Sequence, residues 1–126
     1  MAERSAVVSG VGATRGLGAA IARRFAREGF RVTVMGRSAE KIQAALADLR
    51  SAGAVAEAVV GDVTDEALVR RVVSTADSPD APLEAAIFNA GGNWPKAFRD
   101  MDGEFLESMW RVNALAGFFF AKAALD

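Results

Sequence analysis

The chain has 126 residues, of which 52% are hydrophobic and 25% are charged, and its formal net charge is −1. These values predict one compact domain with a sizeable core, and the scattered basic residues give no footprint for a nucleic acid. No apolar run reaches the roughly 20 residues of a membrane span, the start MAER lacks the apolar core of a secretory signal, and there is no cysteine or histidine for a disulfide or a common metal site. We therefore expect a cytoplasmic domain without a membrane, nucleic-acid or metal partner.

The predicted elements alternate between strands and helices from the start of the chain. Residues 6–11 form a buried apolar strand, and Leu17, Ile21 and Phe25 then recur at the four-residue spacing of an amphipathic helix. Gly29 ends that helix, since glycine is common just beyond a helix C-terminus.

The second and third predicted strands flank a second helix. The strands cover residues 30–35 and 55–60, and between them Ser38 caps a helix that Gly53 closes. A third helix begins at residues 64–66, which offer a cap and first-turn acids.

The rest of the chain continues this alternation. The polar segment 77–82 stops the third helix, residues 83–88 form a fourth strand, and a long helix covers about residues 103–125. Strands joined by helical crossovers predict a parallel sheet with helices on both faces and right-handed connections. The predicted fold class is a doubly wound, Rossmann-like α/β sheet, limited to its first four strands and their helices, in a single domain over residues 1–126.

Three glycines, Gly12, Gly16 and Gly18 in the stretch GATRGLG, lie at the turn from the first strand to the first helix. A helix N-terminus presents unpaired N–H groups and a partial positive charge, which suit a pyrophosphate that no side chain blocks. Glycine at 12 allows a tight turn, and glycines at 16 and 18 allow close approach and helix-to-sheet packing. In this context the pattern favours nucleotide binding over a purely structural turn.

The spacing G-x-x-x-G-x-G resembles the form used by the short-chain dehydrogenase/reductase family. Three further segments match that family in order: GDV at residues 61–63, NAGG at residues 89–92, and RVNALAGFFFAKAAL at residues 111–125. The resemblance implies that the Asp62 carboxylate meets the adenine amino group, and that Asn-Ala-Gly steadies the central sheet and lies along the cofactor. It also implies that Asn113 kinks the last helix and helps to hold a water of the proton relay.

Two positions depart from the family's pattern. Phe88 stands where the family usually has a second asparagine, and Val11 stands where it has a threonine before the first glycine. An alternative register takes Ser9 and Gly10 as the family's Thr-Gly, with two residues inserted. The glycine spacing favours the register that begins at Gly12.

Basic residues near the second strand predict which dinucleotide is bound. Enzymes that select NAD usually place an acid at the end of this strand to hold the ribose 2′-hydroxyl, whereas this chain has Gly36 followed by Arg37 and Ser38. A guanidinium pairs with a 2′-phosphate through charge-assisted hydrogen bonds, and Arg15 reinforces this, as similar arginines do in NADP-preferring members of the family. We expect NADP as the cofactor, with NAD the weaker ligand.

The predicted cofactor-binding residues come from all four strand ends. They are Gly12, Thr14, Arg15, Gly16, Leu17, Gly18, Arg37, Ser38, Asp62, Val63, Asn89, Ala90 and Gly91.

The resemblance also implies a reaction, namely hydride transfer between nicotinamide and a small carbonyl or alcohol substrate. The family's proton donor is a tyrosine, assisted by a lysine four residues on and a serine, but this chain has no tyrosine. Asn113 is the one relay residue of the family that the chain carries, while Lys96 and Lys122 lie outside the family's motif and are expected at the surface. We therefore expect the 126-residue chain to be inactive alone.

The last helix is apolar around most of its circumference, which predicts that it is covered on all sides. With the unpaired edge of the fourth strand, this suggests the N-terminal half of a longer enzyme, and a homo-oligomer formed through residues 103–125. The alternatives are a catalytically inactive dinucleotide-binding or sensor protein, and a domain that binds S-adenosylmethionine. Gly36 and Arg37 argue against the latter, which would want an acid there for the ribose hydroxyls.

Overall fold

The computed structural model describes residues 4–126, in which parallel strands alternate with helices. The elements are β1 (Ser5–Val8), α1 (Leu17–Arg27), β2 (Arg31–Gly36), α2 (Ala39–Ser51), β3 (Ala56–Val60), α3 (Glu66–Ala76), β4 (Leu83–Ile87), a 3-10 turn (Phe98–Asp100), α4 (Gly103–Trp110), a π-helical segment (Arg111–Leu115) and α5 (Ala116–Leu125).

The four strands form one sheet in the order β3-β2-β1-β4, and every pairing is parallel. This confirms the predicted doubly wound α/β fold. The chain builds outward from β1 to β3 and then crosses to the other side of β1, so the strand order reverses between β1 and β4. Ligands of open α/β sheets bind beyond the carboxyl ends of the strands at such a switch point.

Helices cover both faces of the sheet, and successive residues of β1 point to opposite faces. Val8 packs in the cluster that holds α1 and α2, and Val7 packs in the cluster that holds α3 and α5. Both side chains are fully buried, as expected for the central strand of a parallel sheet.

The helix ends follow from the residues at their caps. The Ser38 hydroxyl accepts a hydrogen bond from the Lys41 N–H at 3.3 Å, as predicted for α2. At the start of α3 the capping side chain is Asp65, whose carboxylate accepts from the Leu68 N–H at 3.1 Å. Gly53, which follows α2, adopts a positive φ of 86° that glycine tolerates best.

Strand β1 ends at Val8, three residues before the predicted end at residue 11. The Ser9 N–H still donates to the Ile87 carbonyl of β4 at 3.0 Å, but Gly10 then turns the chain with a φ of 71°. The Val11 N–H donates instead to the Met35 carbonyl of β2 at 3.0 Å. The apolar pattern continues beyond β1 because Val11 is buried in this turn.

The last predicted helix is interrupted and only partly covered. Its middle adopts π-helical hydrogen bonding between α4 and α5. Phe120 is buried against α3 and β4. In contrast, the solvent-exposed fractions of Leu106, Trp110 and Phe118 are 65%, 52% and 58%. The expectation that this helix is covered on all sides is therefore not met within residues 4–126, in which no helix is long and apolar enough to cross a membrane.

Candidate functional site

A cleft of about 250 Å³ opens at the carboxyl ends of the strands, where the strand order reverses. Its wall is formed by Gly10, Val11, Gly12, Met35, Gly36, Arg37, Ser38, Lys41, Gly61, Asp62, Val63, Asn89, Ala90, Gly91 and Val112. Eight of the predicted cofactor-binding residues belong to this wall: Gly12, Arg37, Ser38, Asp62, Val63, Asn89, Ala90 and Gly91. The other five, Thr14, Arg15, Gly16, Leu17 and Gly18, lie beside the cleft in the β1–α1 loop and the first turn of α1.

The conformational role predicted for Gly12 belongs to Gly10. A Cβ atom at Gly10 would lie 2.5 Å from Ala90 N and would overlap the Asn89 backbone, and its φ is positive. A Cβ at Gly12 would meet no atom within 4 Å, and its φ is not positive. The tight turn that starts the loop is therefore made at Gly10, two residues before the predicted position.

Ser9 holds β1 and β4 together at this turn. Its buried hydroxyl donates to the Ile87 carbonyl at 3.2 Å and accepts from the Asn89 N–H at 3.1 Å. These hydroxyl bonds link β1 to β4. Val11, which stands where the family has a threonine, cannot make them because valine has no hydroxyl. The geometry of the strand end thus supports the alternative register that begins at Ser9 and Gly10.

The glycine-rich loop is closely packed where it leaves the sheet. A Cβ at Gly18 would lie 2.5 Å from Gly10 O, and a Cβ at Gly36 would overlap the carbonyl oxygen of Val11. The Asn89 side chain also donates to Gly10 O at 3.2 Å. Backbone from β1, β2 and β4 therefore meets at the base of the cleft with no room for side chains.

The N-terminus of α1 offers backbone donors without a competing side chain. Gly16 is its N-cap residue, no side chain caps it, and its first turn carries no acid. Because the first N–H groups of a helix lack intrahelical acceptors, they remain available to an anion beside the cleft. Leu17, the first helical residue, is largely exposed.

The end of the cleft next to α2 is positively charged. Arg37 and Lys41 both line it, and Ser38 lies between them as the N-cap of α2. The acid in the first turn of α2, Glu40, is not among the lining residues. Two cations and a helix N-terminus therefore face one end of the cleft.

Asp62 lines the cleft and is held by a local turn. Its Oδ1 accepts from the Thr64 N–H at 2.9 Å and from the Thr64 hydroxyl at 2.8 Å. Both of these bonds are made to the same carboxylate oxygen, Oδ1. The turn thus orients the carboxylate just beyond the carboxyl end of β3, whereas the neighbouring Val63 is buried in the core.

Asn113 clamps the loop that follows β4. Its Oδ1 accepts from the Gly92 N–H at 3.1 Å, and its Nδ2 donates to the Gly92 carbonyl at 3.0 Å and to the Met109 carbonyl at 2.9 Å. The bond to Met109 joins Asn113, in the π-helical segment, to the last turn of α4, and the kink that the resemblance implies at this residue stays a prediction. Both donor hydrogens of this amide are engaged by backbone, so the side chain holds the loop in place.

Sequence reasoning missed several residues of the site. Lys41 could have been found from its position in the first turn of α2, three residues after the N-cap residue Ser38. Gly61 and Val112 lie within motifs that were identified, GDV at residues 61–63 and the last predicted helix, but were not assigned to the cofactor site. The local signal for Gly10 was the hydroxyl residue Ser9 before it, which the glycine spacing outweighed.

Comparisons with known proteins agree with this geometry. The family model described as short chain dehydrogenase matches residues 6–126. Gluconate 5-dehydrogenase of Gluconobacter oxydans (strain 621H) is 30% identical over 112 residues, which cover 89% of this chain and 44% of that protein. The uncharacterized oxidoreductase UxuB of Bacillus subtilis (strain 168) is 34% identical over 102 residues, which cover 81% of this chain and 36% of that protein.

Solved structures resemble the whole of the chain. A variant of actinorhodin polyketide ketoreductase with NADPH has a TM-score of 0.89 and 29% identity, with 100% of this chain and 49% of that one covered. A short chain dehydrogenase from Burkholderia cenocepacia J2315 in complex with NADP has a TM-score of 0.87 and 30% identity, with coverage of 98% and 50%. The chain spans about half or less of the length of these proteins.

Proposed function

Because the chain belongs to the short chain dehydrogenase family, we propose that it binds a nicotinamide dinucleotide, NADP in preference to NAD, and forms the cofactor-binding half of an oxidoreductase. The observation that carries the proposal is the cleft at the switch point, with Arg37 and Lys41 at one end and the strand end at Asn89 in its wall. Two of the similar solved structures hold NADPH or NADP, which supports the same choice of ligand.

The pyrophosphate is proposed to lie at the start of α1. The backbone N–H groups of Leu17 and Gly18 face no capping side chain, and a Cβ at Gly12 would meet no atom within 4 Å, so the loop leaves room for a ligand beside it. Thr14 and Arg15 lie in the same loop and are proposed to add polar contacts. A dianionic group is favoured here because the helix dipole and the free N–H groups act in the same direction.

The 2′-phosphate is proposed to lie at the α2 end of the cleft. Arg37 and Lys41 supply positive charge there, and the Ser38 hydroxyl lies at the helix cap. Strand β2 ends in Gly36, so no carboxylate stands where it would bind a ribose 2′-hydroxyl and repel a phosphate. This arrangement favours NADP.

The remaining parts of the cofactor are assigned to the ends of β3 and β4. Asp62, with Val63 beside it, is proposed to meet the adenine, and the backbone of residues 89–91 is proposed to lie along the nicotinamide ribose. When bound, NADPH supplies a hydride. The Asn113 clamp on Gly92 holds the loop beside that end of the cleft, so we regard Asn113 as a positioning residue and keep its predicted part in a proton relay as a proposal.

The substrate and the assembly are proposed at the level of the family. We propose that the complete enzyme acts on a small carbonyl or alcohol substrate in the cytoplasm. The exposed apolar side chains of α4 and α5, Leu106, Trp110 and Phe118, are proposed to form an interface with a second copy, because patches of this kind mark association sites.

A second candidate function is a dinucleotide-binding sensor without catalysis. The observation that favours it is the absence of tyrosine, histidine and cysteine from the 126 residues, which leaves no common proton donor for carbonyl reduction. Both candidates require dinucleotide binding, and turnover by the complete protein in its source separates them.

The test of the proposal is a comparison of NADPH and NADH binding by calorimetry. We expect NADPH to bind at least about tenfold more tightly than NADH, since a hydrogen bond to a charged group contributes roughly 1.5–3 kcal/mol. Arg37→Ala should remove most of that preference. Arg27→Ala, which deletes an exposed arginine at the end of α1, is the matched control and should leave it unchanged. Equal losses of NADPH and NADH affinity in Arg37→Ala would contradict the assignment of the 2′-phosphate.

A further inference from the structure

A charged side chain of α1 reaches back to the glycine-rich loop. The Arg23 guanidinium donates from Nη1 to the Thr14 carbonyl oxygen at 2.6 Å, nine residues earlier in the chain. The same nitrogen lies 3.4 Å from Oδ2 of Asp48 on α2. The Arg23 side chain is therefore held between the loop and the second helix, and only 33% of it remains exposed.

The other hydrogen bonds of the loop lie closer to its ends. The Val11 N–H donates to the Met35 carbonyl at 3.0 Å, and the Gly16 N–H donates to the Ala13 carbonyl at 2.8 Å within the turn that precedes α1. Among the described residues, the bond from Arg23 is what attaches the middle of the loop, at Thr14, to another element.

This bond also fixes the direction of one peptide group. The peptide bonds of the described residues are all trans, and in a trans peptide the C=O and the N–H point in opposite directions. Since the Thr14 carbonyl faces Arg23, the N–H of Arg15 faces away from it. The bond is charge-assisted, and such bonds are about twice as strong as neutral ones.

We infer that Arg23 is a positioning residue that holds the Thr14–Arg15 peptide with its N–H available to the pyrophosphate of a dinucleotide. The inference rests on the proposed function, because it concerns how the phosphate site of that cofactor is built. Arg23 itself does not line the cleft and acts through the loop. Asp48 also contacts the guanidinium, with its Oδ2 3.4 Å from the same Nη1 atom.

The test compares Arg23→Ala with Arg24→Ala in the 126-residue chain. Arg24 is the neighbouring arginine on the same helix, and its guanidinium pairs with Glu28 at 2.9 Å, so its removal takes away the same charge without touching the loop. Each variant is titrated with NADPH and with adenosine 2′-monophosphate, which carries the adenine, the ribose and the 2′-phosphate but no pyrophosphate.

We expect Arg23→Ala to raise the Kd for NADPH about 5- to 20-fold, less than the loss of a charge-assisted contact with the ligand itself would give, because Arg23 acts through the loop. Its Kd for adenosine 2′-monophosphate should stay within about twofold of the original, because that ligand lacks the pyrophosphate that the Arg15 N–H would contact. Arg24→Ala should change neither constant. Arg23→Lys, which keeps a charged donor, should recover part of the NADPH affinity.

The outcomes separate the inference from the proposal on which it rests. If the unaltered chain binds neither NADPH nor NADH, the proposed function is wrong and the inference is lost with it. If the unaltered chain binds NADPH and Arg23→Ala binds it as tightly as Arg24→Ala does, the inference alone is wrong. Equal weakening of both ligands by Arg23→Ala would also overturn it, since this would show a general structural role.

A folding defect in Arg23→Ala is resolved with milder variants. Arg23→Gln keeps a neutral donor of similar length, and Arg23→Lys keeps the charge. An NADPH affinity that falls in the order arginine, lysine, glutamine, at constant affinity for adenosine 2′-monophosphate, supports the inference. Three equal NADPH affinities contradict it.

Discussion

Replacing Gly10 by alanine should destabilise the chain strongly, whereas the same change at Gly12 should not. Gly10 has a φ of 71°, a conformation that costs a residue with a side chain roughly 1–2 kcal/mol. The added Cβ would also lie 2.5 Å from Ala90 N and overlap the Asn89 backbone. Overpacking of this kind typically costs about 1–3 kcal/mol, so the expected loss is about 2–5 kcal/mol.

Gly12→Ala is the matched control, because it adds the same methyl group two residues further along. A Cβ there meets nothing within 4 Å, and the backbone φ is not positive. At such a site alanine usually stabilises a protein by about 0.4–1 kcal/mol, since it restricts the unfolded chain. The two variants should therefore change stability in opposite directions.

The assay is urea unfolding followed by far-ultraviolet circular dichroism, with linear extrapolation to zero denaturant. With a slope of about 1–3 kcal/mol per molar urea, the midpoint of Gly10→Ala should fall by roughly 1–3 M, and that of Gly12→Ala should stay or rise slightly. Stability of Gly10→Ala within about 0.5 kcal/mol of the unaltered chain, the ordinary range for surface substitutions, would refute the placement of the turn at Gly10.

Four further predictions concern the cleft and the loops around it. Gly16→Val should abolish NADPH binding with helical content unchanged, because its side chain would obstruct the approach of the pyrophosphate to the backbone, and the added Cβ would lie 3.0 Å from the Ala13 carbonyl oxygen; undiminished affinity in calorimetry would count against the phosphate assignment. Lys41→Ala should weaken NADPH binding by about 3- to 10-fold and NADH binding by less than about twofold, and equal losses would remove it from the 2′-phosphate site. Asn113→Ala should cost about 1–2 kcal/mol through its three lost bonds and speed hydrogen exchange in the loop after β4, whereas the exposed Asn93→Ala control should do neither. Finally, the 126-residue chain, verified by mass spectrometry, should oxidise no NADPH with ketones, aldehydes or quinones, and any turnover lost in Asn113→Ala would show that another proton source operates.

The fold was predictable because its signals are local. Each strand is a short apolar run, and the helix ends at Ser38 and Gly53 carry residues that serve as caps for stated physical reasons. The topology then follows from general rules, since helical crossovers require parallel strands and one hand of connection. The structure confirms this sheet with strand limits that differ by at most three residues.

The misplaced turn at Gly10 shows what local signals leave out. In the sequence, Ser9 favours Gly10 as the turn residue, whereas the glycine spacing favours Gly12. They are distinguished by a contact with the Asn89 backbone, which lies about eighty residues away in the chain and approaches only when β4 pairs with β1. The same pairing gives the Ser9 hydroxyl its partners.

The residues of the site differ in the same way. Arg37 and Asp62 were predictable because each follows directly on the end of a strand, and all strand ends of a parallel sheet share one edge. Arg23 was not, because its bond to Thr14 depends on how α1 leaves the sheet. The apolar residues of α4 and α5 predicted a helix that is buried on all sides, but residues 4–126 leave part of its surface exposed. Hydrophobicity indicates that a surface is buried, but it does not identify the element that packs against it.

The two ends of the cleft receive different chemistry from this chain. At the β2 end stand charged side chains, Arg37 and Lys41, beside a helix N-terminus. At the β4 end the wall is formed by Ala90, Gly91 and Val112, which can hold a planar ring but cannot release a proton at neutral pH. Because β2 and its helix already close one side and, within residues 4–126, β4 is paired on the β1 side only, we propose that a proton donor would approach the cleft from the other edge of β4.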